Sequence, residues 1–243
     1  MFWGGKYKRV CHYNDDRAYQ YGDSMGLDLI NQHVAKILLA LEEGDSINRV
    51  SEKTGSSYGW TYEWIEQLEE AEIIANDDGL TIQDREVAEQ FKELSKSVFS
   101  REMSLEDAYL LPNFSGMDYR YSNTDAVYIW TKGGYQVARN QNDYPIFIDI
   151  KRSELEAWKD FLDSFSVEYT VEDRRTDEEG IYFVLNPRPG FDSEWFENTS
   201  VTPLDETVEW AQQYRYNFEP ALEMLYEMYD LELGVEYSEE KVL

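Results

Sequence analysis

The sequence predicts an α+β fold in two parts. A helical N-terminal half is closed by a short two-stranded ribbon, and in the C-terminal half helices pack on an antiparallel sheet. Three observations carry this. Apolar residues recur at three- and four-residue spacing over residues 27–98, interrupted once by two short runs around Asn76-Asp77-Asp78-Gly79. Alternating and β-branched runs then dominate residues 126–185, and helical spacing returns from Leu204. The 243 residues suit one or two domains, and 42% hydrophobic with 15% aromatic residues suffices to bury real cores.

In chain order, Leu29, Ile30, Val34, Ile37, Leu38 and Leu41 form the stripe of a first helix that ends at Gly44. Asp45 or Ser46 caps a short second helix, which Gly55 stops. A third helix starts near Ser56-Ser57 and buries Thr61, Trp64, Ile65 and Leu68, continuing to Ala71. Ile73-Ile74 and Leu80-Thr81-Ile82 pair as a ribbon, and a fourth helix runs from Asp84 to about Val98. Helix, short helix, turn, longer helix, ribbon, helix is the order of a winged helix-turn-helix domain, placed at residues 25–100. Residues 101–124, with Pro112, Gly116 and a polar run, read as a linker or docking segment.

The domain at residues 125–243 opens with a predicted hairpin. Ala126 to Trp130 is one strand, Lys132-Gly133-Gly134 the turn, and Tyr135 to Ala138 the return. Tyr144 to Ile150 is a third strand, with Ile146, Ile148 and Ile150 on one face. Ser153 caps a helix carrying Leu155, Trp158, Phe161, Leu162 and Phe165. Strands at residues 167–171 and 181–185 flank a charged turn, and a loop with Pro187, Pro189 and Gly190 follows. A helix beginning at Leu204 and another beginning at Pro220 close the chain as an antiparallel pair.

Fifty acidic against 22 basic residues give a net charge of −28, which excludes a globally basic nucleic-acid binder and a cationic membrane-surface protein. The excess is spread along the chain, as in a folded protein of a salt-rich cytoplasm, where screening removes the self-repulsion. A specialised acidic surface, such as a nucleic-acid mimic, is the other reading. Residues 1–24 are the exception, with four basic and three acidic side chains. Lys6, Lys8, Arg9 and Arg17 alternate there with Trp3, Tyr7, Tyr13, Tyr19 and Tyr21. This segment reads as an N-terminal arm, or as an extension ahead of a start at Met25, although such interleaving could also serve nucleic acid. No apolar run is long enough to span a bilayer and no signal-peptide pattern opens the chain. The single cysteine, Cys11, fits a reducing compartment.

Enzymatic chemistry finds little material. Cys11, His12 and His33 lack the spacing of a metal site and cannot readily staff a nucleophilic triad. Neither phosphate-cradling nor dinucleotide glycine motifs occur. The expectation is therefore a protein without cofactor, metal or catalysis. Tyr128, Trp130, Tyr135 and Tyr182 read as sheet core rather than a ligand cage.

The positive signal is the third helix, whose N-terminal end would present Ser56, Ser57, Tyr58 and Tyr62 to base edges or phosphates. Arg49 and Lys53, on the second helix, would reach the phosphate backbone. Glu63, Glu66, Glu69 and Glu70 on the same third helix, and Asp77-Asp78 at the ribbon tip, have the wrong sign for phosphate contact.

The stretches Ser46-Ile47-Asn48-Arg49-Val50, Ser57-Tyr58-Gly59-Trp60-Thr61-Tyr62 and Leu68-Glu69-Glu70-Ala71 resemble winged-helix transcriptional regulators of haloarchaea over about 75 residues. The resemblance implies double-stranded DNA as partner, bound through Ser57, Tyr58 and Tyr62. The layout, a winged helix followed by an α+β domain, also looks like antitoxins of abortive-infection type IV systems. Those repress their own promoter and counteract a nucleotidyltransferase toxin. The sequence thus predicts a cytoplasmic transcriptional regulator, a homodimer on DNA, whose C-terminal domain dimerises or binds a partner or effector. The alternative is an antitoxin or protein-interaction adaptor on the same scaffold.

Overall fold

The computed structural model describes residues 29–99, 103–136, 139, 143–172 and 180–231. The predicted arm, most of the predicted Asp173–Gly180 turn, and the last two residues of the predicted Tyr135–Ala138 strand lie outside the described residues. Among the described residues no helix is long and apolar enough to cross a membrane.

The fold is mixed α+β. It opens with α1 (Gln32–Ala40), α2 (Ile47–Thr54) and α3 (Tyr58–Glu70). Local chemistry sets each boundary. Asn31 Oδ1 accepts the N–H groups of His33 and Val34 at 2.8 and 3.1 Å, and Ser46 Oγ accepts that of Arg49 at 3.2 Å. Ser57 Oγ accepts the N–H of Trp60 at 3.4 Å, and Gly55 ends α2 at φ +67°. Strands β1 (Ile74–Asn76) and β2 (Leu80–Ile82) pair antiparallel, with Ala75 opposite Thr81, and α4 (Arg85–Phe99) follows. These elements share one core, centred on Val34, Leu38, Val50, Ile65, Leu68 and Leu80.

The second unit starts earlier than the sequence suggests. Helix α5 (Leu105–Leu110), a 3-10 turn over Leu111–Phe114 and β3 (Tyr119–Tyr121) occupy the segment expected to be a linker. Leu111 and Tyr121 are fully buried there, so Pro112 and Gly116 mark turns inside a packed unit rather than its edge. Next come α6 (Asn123–Trp130), β4 (Asp143–Lys151), α7 (Leu155–Ser164), β5 (Tyr169–Val171) and β6 (Gly180–Arg188). The chain ends in β7 (Glu194–Phe196), β8 (Thr199–Val201), α8 (Leu204–Gln213) and α9 (Arg215–Tyr229).

The sheet order is β5-β6-β4-β3-β8-β7. It is mixed, which corrects the expected antiparallel sheet. Strand β4 runs parallel to β6 with Ile148 opposite Leu185, and β5 is parallel to β6. Strands β3 and β4 are antiparallel, β3 and β8 parallel, and β7 and β8 antiparallel. The physical reason is visible in β4. Both of its faces are largely covered, including Asp149, and a strand covered on two sides belongs to a parallel pair reached by a crossover, here through α7.

The predicted first hairpin of this unit is also corrected. Residues 123–130 form α6, and Gly133 at φ +77° donates its N–H to Tyr128 O at 2.8 Å. The glycines that read as a hairpin turn therefore terminate a helix. Burial of Ala126, Val127, Ile129 and Trp130 overrides their strand propensity. Helix α7 begins at Leu155, after a 3-10 turn, without a side-chain cap from Ser153. Pro220 sits inside α9 rather than at its start, and Pro187 lies within β6.

Candidate functional site

Helix α3 buries Thr61, Ile65 and Leu68, while Trp64 is half-buried. At 100° per residue, the line opposite that core carries Gly59, Glu63, Glu66 and Glu70, all exposed. One flank carries Tyr58 and Tyr62, which are 53% and 39% exposed and stack with centroids 6.3 Å apart. Glu66 raises the Tyr62 phenol above its ordinary pKa through a hydrogen bond and its charge. The other flank carries Trp60, 43% exposed, beside Trp64 at 6.0 Å. His33 of α1 meets Trp60 edge-on at 5.2 Å and stacks on Trp64 at 6.0 Å.

The six residues expected to face DNA separate into three groups. Ser57, Tyr58 and Tyr62 stand at the open N-terminal part of α3, and Ser57 Oγ already serves as the helix cap. Ser56 is half-buried in the turn, where its N–H donates to Ser51 O at 3.1 Å. Arg49 and Lys53 lie elsewhere. The Arg49 guanidinium rests 4.4 Å from the ring centre of Trp195 in the second unit, with Glu52 at 3.6 Å.

Lys53 is 3% exposed. Its Nζ donates to Ala40 O at 3.3 Å, to Asp45 Oδ2 at 2.8 Å and to Glu42. The expected phosphate contact is therefore corrected for Lys53, because three oxygens hold its ammonium inside the unit. Its helical spacing alone could not reveal that, since the Glu42 and Asp45 partners sit on the preceding loop. Trp60 is the exposed aromatic that sequence reasoning about a reading face passed over.

The junction between units is specific. Asn113 Nδ2 donates to Lys53 O at 3.1 Å and to Asn198 O at 2.9 Å, while Asn113 Oδ1 accepts the Tyr119 hydroxyl at 2.6 Å. Lys36 of α1 pairs with Asp107 of α5 at 3.1 Å. Beside Asn113 opens a cleft of about 440 Å³, whose lining includes Arg49, Lys53, Tyr119, Lys151 and Trp195. These polar links leave from α1 and α2, so α3 keeps its aromatic flanks open.

A second constellation lies deep in the C-terminal unit. Arg139 Nη2 donates to Asp125 Oδ2 at 2.7 Å, and Asp125 also accepts the Phe147 N–H at 2.7 Å. Arg139 reaches the Tyr109 and Tyr144 hydroxyls at 3.0 and 3.3 Å, and Tyr109 in turn bonds Asp125. Burial raises the Asp125 carboxyl above its ordinary pKa, and Arg139 opposes that shift. The cluster ties α5, α6 and β4 together. No known protein family, characterised protein or solved structure matches the chain.

Proposed function

We propose that the protein is a DNA-binding transcriptional regulator whose first unit is a winged helix-turn-helix, reading duplex DNA with the N-terminal turns of α3. The observation that carries the reading is an α3 that follows the α2 turn, precedes the β1–β2 ribbon and presents Ser57, Tyr58 and Tyr62 uncovered. Hydroxyls at a helix N-terminus suit base edges and phosphate oxygens, and the helix dipole favours an anion there.

The charge sets the conditions. With Lys53 buried and Arg49 on Trp195, counterion release from phosphates adds little, so contact depends on hydrogen bonds made where the acids are screened. A salt-rich cytoplasm is the setting in which this works. A homodimer would place two α3 helices on a two-fold site.

The test is DNA binding at ~2–3 M KCl, where screening is nearly complete, using the upstream region of the protein's own gene and a scrambled control. Specific binding that Tyr58→Ala and Tyr62→Ala weaken by roughly tenfold, about 1.4 kcal/mol each, supports the reading. No binding by a folded chain overturns it. A second reading is favoured by the acidic line Glu63, Glu66 and Glu70. In it the same scaffold is an antitoxin or adaptor, and the aromatic flanks of α3 receive a basic protein partner.

A further inference from the structure

We propose that the Trp60 flank of α3 is the docking site of the chain's own N-terminal segment, residues 1–28. Three observations point there. The first is where the described chain begins. Leu29 is buried in the first core, Asn31 caps α1, and His33, one turn on, lies against both Trp60 and Trp64. The preceding residues therefore join the fold next to this flank.

The second is the chemistry of the flank. Trp60 is open, and next to it runs the line of Glu63, Glu66 and Glu70, none of which has a cationic partner among the described residues. An exposed indole beside carboxylates without a cationic partner suits a ligand that alternates cations with aromatic rings. The third is the occupant. Residues 1–24 hold Lys6, Lys8, Arg9 and Arg17 interleaved with five aromatic residues named above, at a net charge of +1. The remaining residues carry −29, since −28 less +1 is −29.

Reach and tethering both allow it. Arg17 precedes Leu29 by 12 residues, an extended span of roughly 40 Å, whereas the 13 residues of α3 are about 20 Å long. Cations attached to the same chain this close to the flank are at about millimolar effective concentration there, so a weak site is enough. The attraction falls with salt, because the charges are at the surface. The proposal concerns the helix assigned above to DNA but does not depend on that assignment.

The test uses the full chain without DNA. Cys11 is its only cysteine, so one nitroxide placed there reports on the segment alone. At the lowest KCl concentration at which the chain is folded, the label is expected to broaden the indole N–H signals of Trp60 and Trp64 at least several-fold more than those of Trp130, Trp158 and Trp210. Raising KCl to ~3 M removes the difference. Lys6→Glu/Lys8→Glu/Arg9→Glu also removes it, and adding Glu63→Lys/Glu66→Lys to that variant restores it. Equal broadening at all five indoles overturns the proposal. So does equal broadening when a labelled chain of natural isotope abundance is mixed with an unlabelled, isotope-enriched one, which would assign the flank to a second copy. Failure here leaves the DNA-binding test untouched, and the reverse holds.

Discussion

Asp125 and Arg139 show what a single buried pair does in so acidic a chain. Both side chains are almost wholly enclosed, with Asp125 accepting from Arg139, Phe147 and Tyr109. Desolvation raises the Asp125 pKa and the guanidinium is the main opposing influence. Removing the cation by Arg139→Met leaves the carboxylate buried and unpaired, at a loss of about 3–5 kcal/mol. The sign of the pH dependence follows. A carboxyl whose folded pKa lies above its unfolded value is best tolerated when protonated, and stability falls as pH rises through the folded pKa. Arg139→Met should therefore be much less stable than the parent at pH 7 and closer to it near pH 4. Urea denaturation at the two values checks this, and an equal deficit at both would refute it. The pair was not legible in the sequence, because 14 positions separate its members and fifty acids offer many false partners. Lys53 failed for the same reason, whereas Ser46, Ser57 and Gly55 were legible because a cap acts on its own neighbours.

Elements divide along that line between local and distant causes. The helices α1 to α4 and the β1–β2 ribbon were readable, since helical spacing and the Asn76-Asp77-Asp78-Gly79 turn are short-range signals. Helix α6 reads as a strand because its apolar run and its Gly133-Gly134 stop mimic a hairpin, and the packing that decides between them comes from β4 and α8. The parallel pairing of β4 with β6 was hidden by the crossover through α7 and β5. The ribbon itself gives a sharp prediction. Gly79 has φ +122°, and a Cβ there would lie 2.8 Å from Gly44 O. That contact is with backbone held by Gly44 N–H donating to Leu80 O at 2.8 Å. Gly79→Ala should cost about 1–3 kcal/mol from the backbone conformation alone. It should also expose the Leu80 amide, so hydrogen exchange at Leu80 is expected to accelerate while exchange in β4 stays unchanged. Unaltered exchange at Leu80 would show that the ribbon tolerates a side chain.

At the scale of the whole molecule, charge and assembly of the two units meet. The units are joined by Asn113, by Arg49 on Trp195, by the Lys36–Asp107 pair and by Leu39 and Ala40 packing into the second core, in a chain of net charge −28. At low ionic strength the self-repulsion of such a chain opposes compaction, and the Debye length of about 10 Å at 0.1 M lets charges on both units feel one another. At 1 M it falls to about 3 Å, so only charges in near contact still interact. Thermal stability should therefore climb steeply between ~0.1 and ~1 M KCl and rise far more slowly beyond, because screening saturates and only general salt effects continue. Sucrose, which is excluded from protein surfaces whatever their charge, should not reproduce the steep part. Replacing Glu63, Glu66 and Glu70 together by Gln should shallow the KCl dependence without altering the core. If stability instead rises linearly with KCl and sucrose matches it, the acidity is not what ties this fold to salt. The high-salt condition for DNA binding would then lose its physical basis.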